Sequence, residues 1–310
     1  MIIVTLTANL LAETTYTFDT WREGATQRAK AESFQVGGKG INVTRMLTRM
    51  GAASEALLFS GGATGVRCEA WLREHAIPFR AFRTPAETRT GAVVRAPGRA
   101  ETTFLGAENE IAAEAIAACA DSIRALPAEA VLTVSGSIPA WTDSRWDPLR
   151  AAIESHVEAG RRLYVDTYGP PLAWFGRLPA TLVKINRAEL AGLVGESPEA
   201  LTEARMPEIL TARLARDRPA AWIITDGPNP VWCASRHAAP FSIRPESVEE
   251  VSPTGSGDVF MAGCLYGIEV RGWPLEKAVA FALPLASANA ASPGVAEFDL
   301  TPFGLPEAGG

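Results

Sequence analysis

Short runs of consecutive apolar residues alternate with segments of helical spacing between residues 130 and 225. The apolar runs lie at residues 130–134, 163–166, 182–185 and 222–225. Strands that are buried on both faces are short and almost continuously apolar, so each run predicts such a strand. Helices are predicted between them at residues 147–159, 188–194 and 207–216. This alternation predicts a parallel sheet that is covered on both faces by helices.

The first hundred residues continue this pattern but also contain segments that do not fit it. Strands at residues 2–6 and 57–59 and helices at residues 43–50 and 65–75 continue the alternation. Residues 15–18 and 29–36 are typical of half-exposed strands, and residues 89–95 and 101–105 flank a Pro-Gly turn as in a hairpin. We therefore predict a small separate sheet, formed where the chain leaves the main domain and returns to it.

The composition is that of an ordinary globular protein, and the charge balance narrows its partners. Of 310 residues, 47% are hydrophobic and 21% are charged, and the formal net charge is −6. An acidic chain without a basic block argues against a broad nucleic-acid-binding surface. The cysteines are scattered without CxxC spacing, which argues against a disulfide scaffold or a thiolate zinc site.

Neither a targeting segment nor a membrane span is predicted. The apolar start at residues 2–6 is too short for a signal-peptide core. The longest apolar stretch, near residues 278–291, contains Pro284 and Asn289 and falls short of a bilayer span. We expect a soluble, cytoplasmic protein.

The strongest chemical signal is the segment Ser252-Pro253-Thr254-Gly255-Ser256-Gly257-Asp258, which precedes an apolar, helix-like stretch. Small residues before a helix let backbone N–H groups converge, and the helix dipole adds positive potential, so the turn predicts an anion site. An aspartate in this place could accept a proton from a hydroxyl beside the anion. The alternative is that Asp258 only caps the helix and that the glycines only form a turn.

This segment matches neither of the two best-known nucleotide-binding loops. The pattern GxxxxGK[ST] occurs nowhere in the chain, and Gly255-Ser256-Gly257 lacks the third glycine of GxGxxG. A P-loop enzyme and a dinucleotide-dependent dehydrogenase are therefore poorly supported.

A second glycine-rich segment, Gly37-Gly38-Lys39-Gly40-Ile41-Asn42-Val43, opens the helix predicted at residues 43–50. Adjacent glycines permit close approach of a polyhydroxylated ligand, to which Asn42 offers hydrogen bonds and Lys39 a positive charge. The alternative is a glycine-rich helix entry with a solvated lysine.

Two shorter segments follow predicted strands, at the sheet edge where parallel sheets bind ligands. After the strand at 182–185, the spacing of Asn186 and Glu189 places both side chains near one helical face, where they could hold a hydrated Mg²⁺. The alternative is a capping box, in which Glu189 bonds back to the backbone of Asn186. Thr225-Asp226-Gly227, after the strand at 222–225, is a weak signal by itself.

These four segments, in this order and at this spacing, resemble the signatures of the ribokinase-like (PfkB) carbohydrate kinase family. GGKGINV at residues 37–43 is similar to its N-terminal signature, and PTGSGDVFMAG at residues 253–263 to its C-terminal one. The resemblance spans residues 2–294 and is greatest to the branch of 1-phosphofructokinase, 6-phosphofructokinase-2 and tagatose-6-phosphate kinase. It implies one ribokinase-like α/β domain over residues 1–310, a three-layer α/β/α fold with a mostly parallel central sheet. A small β-sheet lid is expected from about residues 13–36 and 88–106.

The resemblance also implies roles for individual residues. Asp258 would be the catalytic base for the attacking sugar hydroxyl, with Gly255, Ser256 and Gly257 presenting N–H groups to the γ-phosphate of ATP. The residues expected to bind the sugar are Glu13, Gly37, Gly38, Lys39, Asn42, Arg89 and Ser137, and Arg89 would hold a substrate phosphate. The residues expected along Mg²⁺-ATP are Lys184, Asn186, Thr225, Gly227 and Asn289, with Asn186 and Glu189 near the metal through water.

Several positions depart from the family pattern. Glu13 stands where the family usually has an aspartate that bonds sugar hydroxyls, which leaves the preferred sugar open. Ile185 replaces the usual proline before Asn186. Ser252 stands where other branches carry an aspartate that helps to hold a monovalent cation, so dependence on K⁺ is not predicted.

The sequence thus predicts an ATP- and Mg²⁺-dependent sugar kinase that acts on a phosphorylated ketohexose. The alternatives are a kinase of an unphosphorylated sugar, a sugar acid or a nucleoside, and a non-catalytic sugar or nucleotide sensor on the same fold. A homodimer contact through the lid is a further expectation, whereas a nucleic-acid or membrane partner is not expected.

Overall fold

The computed structural model describes residues 1–108 and 110–305. Its strands are β1 (Ile3–Thr7), β2 (Leu11–Thr17), β3 (Ala31–Gly37), β4 (Ser54–Gly61), β5 (Phe79–Thr84), β6 (Thr90–Arg95), β7 (Thr102–Leu105), β8 (Val131–Ser135), β9 (Leu163–Asp166), β10 (Leu182–Asn186), β11 (Ala221–Thr225), β12 (Val231–Ser235) and β13 (Ala238–Ile243). Its α-helices are α1 (Lys39–Arg49), α2 (Gly62–Glu74), α3 (Ala113–Arg124), α4 (Asp147–Glu158), α5 (Pro170–Phe175), α6 (Arg187–Val194), α7 (Met206–Arg216), α8 (Ser256–Leu265) and α9 (Leu275–Ala290).

The larger sheet is parallel except at one edge. Among the described residues, nine strands pair in the order β13-β12-β11-β10-β9-β8-β1-β4-β5. Every neighbouring pair from β11 to β5 is parallel, whereas β11, β12 and β13 pair antiparallel. The predicted mostly parallel sheet is confirmed, but β5, α3 and the antiparallel edge were missed by the pattern of apolar residues.

Helices cover both faces of this sheet because successive side chains of each strand enter different cores. In β1, Val4 and Leu6 lie in a core shared with α3, α4 and α7. Ile3 lies in a second core, shared with α1, α8 and α9. The chain therefore has the three-layer α/β/α arrangement that the resemblance implied.

A second, smaller sheet has the strand order β3-β2-β6-β7 and is separate from the larger one. Strand β2 pairs antiparallel with β3 and parallel with β6, and β6 and β7 form the predicted hairpin. Strand β2 begins at Leu11, earlier than predicted. Its first residues were missed because the first three are all buried and lack the alternation of buried and exposed positions that predicts a half-exposed strand. These strands lie largely within the ranges expected for a lid, and their movement as a lid stays a prediction.

The apolar stretch near residues 278–291 forms most of helix α9, which continues through Pro284. It packs against α8, whose last turn passes into a π-helical turn at Tyr266–Val270. Within residues 1–108 and 110–305, no helix has both the length and the apolar character that a bilayer span requires.

Candidate active site

A cavity of about 420 Å³ lies between the carboxyl ends of β10 and β11 and the start of α8. Among the predicted site residues, those that line it are Lys39, Lys184, Asn186, Thr225, Gly227, Gly255, Ser256, Gly257 and Asp258. The sequence analysis missed the apolar residues that also line the cavity, which include Val231, Pro245, Val248, Phe260 and Leu283. A cavity of this size, with apolar walls and a few converging polar groups, suits a cofactor-sized ligand.

The turn before α8 is closely packed around two of its glycines, and the first of them requires glycine. Gly255, the N-cap, has φ +77°, and a Cβ there would overlap Val295. A Cβ on Gly257 would lie 2.9 Å from Lys184 Nζ, so the ammonium group reaches the backbone of the turn. The start of α8 therefore combines a helix dipole with a positive side chain, which is the electrostatics of an anion site.

Asp258 lies in the first turn of α8, lines the cavity and is only 6% exposed. Its Oδ2 accepts a 2.7 Å hydrogen bond from Asn42 Nδ2 on α1, so the carboxylate is joined to another helix. Burial and the neighbouring Asp166 raise the pKa of Asp258 to about 6, although Lys39 and Lys184 oppose the shift. Such a carboxylate is mostly ionised at neutral pH and is basic enough to accept a proton.

Asp166, at the end of β9, joins the two lysines and was missed by the sequence analysis. Its Oδ1 accepts a hydrogen bond from Lys39 Nζ and its Oδ2 one from Lys184 Nζ, each at 2.8 Å. Asp166 is fully buried, which favours the neutral acid, but the two ammonium groups outweigh burial and hold its pKa below the usual value. Burial likewise lowers the pKa of Lys39, and the nearby carboxylates outweigh it and raise that pKa. Asp166 therefore fixes both lysines beside Asp258.

Asn186 and Glu189 form the capping box that was left open as an alternative. Asn186 Oδ1 accepts from the Glu189 N–H and Glu189 Oε2 accepts from the Asn186 N–H, each at 2.8 Å. Glu189 Oε1 also accepts a 3.3 Å hydrogen bond from Lys39 Nζ. In the part of the chain that the structure describes, no cluster of three or more His, Cys, Asp or Glu side chains could hold a metal. Asn186 lines the cavity and Glu189 does not, and the oxygens of both accept hydrogen bonds within the protein. Contacts of these two side chains with a Mg²⁺ ion would therefore run through water.

Asn289 does not lie along the cavity, contrary to the expectation from the resemblance. It is 1% exposed, and its Nδ2 donates to the Thr254 carbonyl and to Ser256 Oγ, each at 3.0 Å. Its Oδ1 accepts a 2.7 Å hydrogen bond from the Ala296 N–H. Both the nitrogen and the oxygen of its amide are thus hydrogen-bonded within the protein. Asn289 therefore stabilises the turn before α8 and does not line the cavity.

The predicted sugar-side residues lie around the junction of the second sheet with α1. Gly37 ends β3 and Gly38 is the N-cap of α1, so this segment connects the second sheet to the helix that carries Lys39 and Asn42. Glu13, opposite Gln35 in the β2–β3 pair, is 5% exposed and accepts a hydrogen bond from Gln35 Nε2. Burial raises the pKa of Glu13.

Arg89 and Ser137 are joined through Asn9, which follows β1. Arg89 Nη2 donates to the Asn9 carbonyl at 3.2 Å, and Asn9 Nδ2 donates to Ser137 Oγ at 2.9 Å. Arg89 Nε is buried and has no hydrogen-bond acceptor among the residues described. A buried donor of this kind is costly unless a ligand supplies the acceptor.

A family model and two relatives that match this chain all belong to carbohydrate kinases. The family model described as pfkB family carbohydrate kinase matches residues 4–301. The ATP-dependent 6-phosphofructokinase isozyme 2 of Mycobacterium tuberculosis is 31% identical over 300 residues, which cover 95% of this chain and 85% of that protein. The 1-phosphofructokinase of Bacillus subtilis is 27% identical over 305 residues, which cover 98% of both.

Solved structures show the same fold. Phosphofructokinase-2 from Escherichia coli, in complex with substrates and products, has a TM-score of 0.86 at 22% identity, covering 96% of this chain and 95% of that one. A possible 1-phosphofructokinase from Thermotoga maritima has a TM-score of 0.83 at 18% identity, covering 98% and 96%. At such identities the structures support the fold alone. The family model spans nearly the whole chain and a relative shares 31% of its residues, so this protein belongs to the pfkB family of carbohydrate kinases.

Proposed function

We propose that the protein is an ATP- and Mg²⁺-dependent kinase that transfers the γ-phosphoryl group of ATP to a hydroxyl of a phosphorylated ketohexose. The observation that carries the proposal is the carboxylate of Asp258, which lines the cavity at the start of α8, next to the turn at residues 255–257. The relatives are a 6-phosphofructokinase, a 1-phosphofructokinase and, at 27% identity over 275 residues, a tagatose-6-phosphate kinase of Staphylococcus epidermidis. They favour fructose 6-phosphate, fructose 1-phosphate or tagatose 6-phosphate as acceptor.

Asp258 accepts the proton of the attacking hydroxyl as the new O–P bond forms and the bond to ADP breaks. Gly255 and Gly257 present backbone N–H groups to the transferred phosphoryl group, where the dipole of α8 adds positive potential. The N–H of Ser256, expected to act with them, instead donates to the Pro253 carbonyl at 3.2 Å. Phosphoryl transfer depends mainly on positioning and charge stabilisation, and one preorganised donor contributes about 10²–10³-fold in rate.

Lys39 and Lys184 supply positive charge beside this turn, and Asp166 keeps both in place. Asn186 and Glu189 would hold Mg²⁺ through water, and the ion would supply charge neutralisation at the phosphate oxygens. Thr225 and Gly227, with the apolar residues that line the cavity, contact the rest of the nucleotide.

The acceptor binds between the second sheet and the start of α1. Glu13 and Asn42 bond its hydroxyls, and Arg89, whose buried Nε lacks an acceptor among the described residues, binds its phosphate. A guanidinium group suits this task because its planar fork matches the oxygens of a phosphate. The second sheet would close over the acceptor and exclude water, which otherwise competes for the phosphoryl group.

An ADP-release assay over a panel of acceptors tests the proposal. The panel compares fructose 1-phosphate, fructose 6-phosphate and tagatose 6-phosphate with fructose, ribose, 2-keto-3-deoxygluconate and adenosine. We expect the highest kcat/KM with one of the phosphorylated ketohexoses. Faster turnover of an unphosphorylated acceptor would contradict the substrate class, and sugar-induced thermal shifts without any turnover would support a sensor instead.

The second sheet is also where we propose a homodimer contact. Its edge strand β7 exposes Phe104 and Leu105, each 57% accessible. An exposed apolar edge strand favours pairing with another chain. Sedimentation of the wild type and of Phe104→Glu tests the contact: the variant should be monomeric, and an unchanged dimer or a monomeric wild type would refute it.

A further inference from the structure

Arg95 and Glu101 flank the turn of the β6–β7 hairpin and form an ion pair. The pair contacts the segment directly before the anion-binding turn, which is the turn at residues 255–257. Arg95 Nε donates to Glu101 Oε2 at 2.6 Å. The two side chains are 23% and 10% exposed, so this pair is shielded from solvent much more than a surface ion pair. The pair belongs to the second sheet, whereas the cavity lies at the edge of the larger one. Neither residue belongs to a predicted motif.

The guanidinium group of Arg95 makes three directed contacts. Besides Glu101, it bonds the Pro293 carbonyl through Nη1 at 2.6 Å and Ser252 Oγ through Nη2 at 3.0 Å. Pro293 follows α9, and Ser252 precedes the anion-binding turn. A planar group with donors in fixed directions can bridge these three acceptors, whereas a lysine cannot reproduce the arrangement.

The carboxylate of Glu101 holds the same segment through two hydroxyl groups. Oε1 accepts from Thr254 Oγ1 at 2.5 Å and Oε2 accepts from Ser252 Oγ at 3.0 Å. Burial would raise the pKa of Glu101, but the Thr254 hydroxyl and Arg95 outweigh it and lower the pKa. Glu101 is therefore ionised and is a strong acceptor for both hydroxyls.

Thr254 is thus fixed from two directions, directly before Gly255. Its hydroxyl is held by Glu101 of the second sheet, and its carbonyl is held by Asn289 of α9. Gly255 has a positive φ that other residues rarely adopt, so the path of the chain into the turn depends on the orientation of Thr254.

We propose that Arg95 and Glu101 are positioning residues for phosphoryl transfer, which fix Ser252 and Thr254 and thereby the turn that holds the transferred phosphoryl group. The inference rests on the proposed function for the identity of that anion. The second sheet also carries Glu13 on β2, so the placement of the acceptor and the geometry of the phosphate turn are set by one structural unit.

Kinetics of Glu101→Gln and Thr254→Val test this role, with Asp19→Asn as the matched control. Asp19 is an acidic residue of the loop between β2 and β3, and its side chain is 78% exposed. We expect kcat to fall about 10–100-fold in each test variant, because small displacements of reacting groups cost rates of that order. The KM for the sugar should stay nearly constant. Glu101→Gln weakens the shared bond by removing its charge and Thr254→Val removes that bond, so the double variant should lose little more kcat than the more severely impaired single variant. Independent, multiplicative losses would overturn the proposal.

Nucleotide binding separates this inference from the proposed function. In calorimetry, Glu101→Gln and Thr254→Val should weaken binding of ATP and leave binding of AMP unchanged, because only ATP reaches the turn with its γ-phosphate. This comparison holds even if the wild type phosphorylates no acceptor in the panel, a result that would refute the proposed function alone. Equal losses for ATP and AMP, or no loss for either, would overturn the positioning role.

Arg95→Ala leaves a space of guanidinium shape, which allows chemical rescue. We expect added guanidinium ion, below denaturing concentration, to restore part of the lost kcat, and Arg95→Lys to restore little. If Arg95→Ala does not fold, Thr254→Val still tests the role, because it removes one hydroxyl and leaves the ion pair intact. A folded Arg95→Ala with wild-type kcat would exclude Arg95.

Discussion

Asn42 Nδ2 donates a 2.7 Å hydrogen bond to Asp258 Oδ2, joining helices whose first turns are far apart in the chain. Burial raises the pKa of Asp258, whereas this bond stabilises the ionised carboxylate and lowers that pKa. Asn42 belongs to the glycine-rich segment on the sugar side, and Asp258 belongs to the phosphate turn. The protonation state of the proposed base is therefore set in part by a residue of the proposed acceptor site.

Replacing Asp258 by Asn should abolish proton acceptance while keeping the shape of the site. General bases contribute about 10²–10⁴-fold, so we expect kcat to fall by at least 10²-fold. Affinity for ATP, measured by calorimetry, should remain. The matched control is Asp121→Asn on α3, whose side chain is 76% exposed. Near wild-type turnover by Asp258→Asn would show that the base is a different group.

Activity should depend on pH through Asp258. The carboxylate must be ionised to accept a proton and its pKa is raised to about 6, so kcat/KM should fall as the pH drops through about 6. Asn42→Ala removes a bond that lowers this pKa, and the acidic limb should therefore move to higher pH. An acidic limb that stays in place in Asn42→Ala would mean that another group controls it.

Arg89→Ala should discriminate between classes of acceptor. A charge-assisted hydrogen bond is worth about 1.5–3 kcal/mol, so kcat/KM for phosphorylated ketohexoses should fall by about 10–100-fold. Turnover of unphosphorylated sugars, where measurable, should be unaffected. Arg124→Ala on α3, 43% exposed, controls for the loss of a positive charge. Equal losses for both classes of acceptor would remove Arg89 from the phosphate site.

Gly257→Ala should weaken ATP binding without unfolding the protein. The new Cβ would lie 2.9 Å from Lys184 Nζ, and that flexible ammonium group has to move away from the turn. We expect a higher KM for ATP and an unchanged unfolding temperature. In the control Gly192→Ala, in α6, the new Cβ has no atom within 4 Å. That variant should keep wild-type kinetics and gain about 0.5–1 kcal/mol in stability. Normal ATP kinetics in Gly257→Ala would separate Lys184 from the phosphates.

Local patterns predicted much of the fold and part of the cavity. Continuous apolar runs identified the parallel strands, and the ends of neighbouring strands meet: Asn186 lies opposite Thr225 in the register of β10 and β11. Residues that follow parallel strands therefore converge even when the chain between them is long. Each of the two glycine-rich segments is an unbroken stretch of sequence, so each could be recognised without knowledge of the fold.

Residues that act through distant partners could not be found in this way. Asp166 is the last residue of an ordinary buried strand, and its importance comes from Lys39, 127 positions away. Glu101 similarly meets Ser252 across 151 positions. Asn289 was misplaced because its position relative to the turn depends on how α9 packs against α8. Such contacts are properties of the assembled fold and leave no local pattern.

The bond between Asn42 and Asp258 spans 216 positions of the chain. During translation, the segment around Lys39 and Asn42 emerges long before the phosphate turn, which follows the last strand of the larger sheet. A growing polypeptide that ends after β13 thus contains all of the predicted sugar-side residues but lacks the proposed base. The proposed phosphoryl transfer therefore requires that α8 has been synthesised and has packed against the rest of the chain.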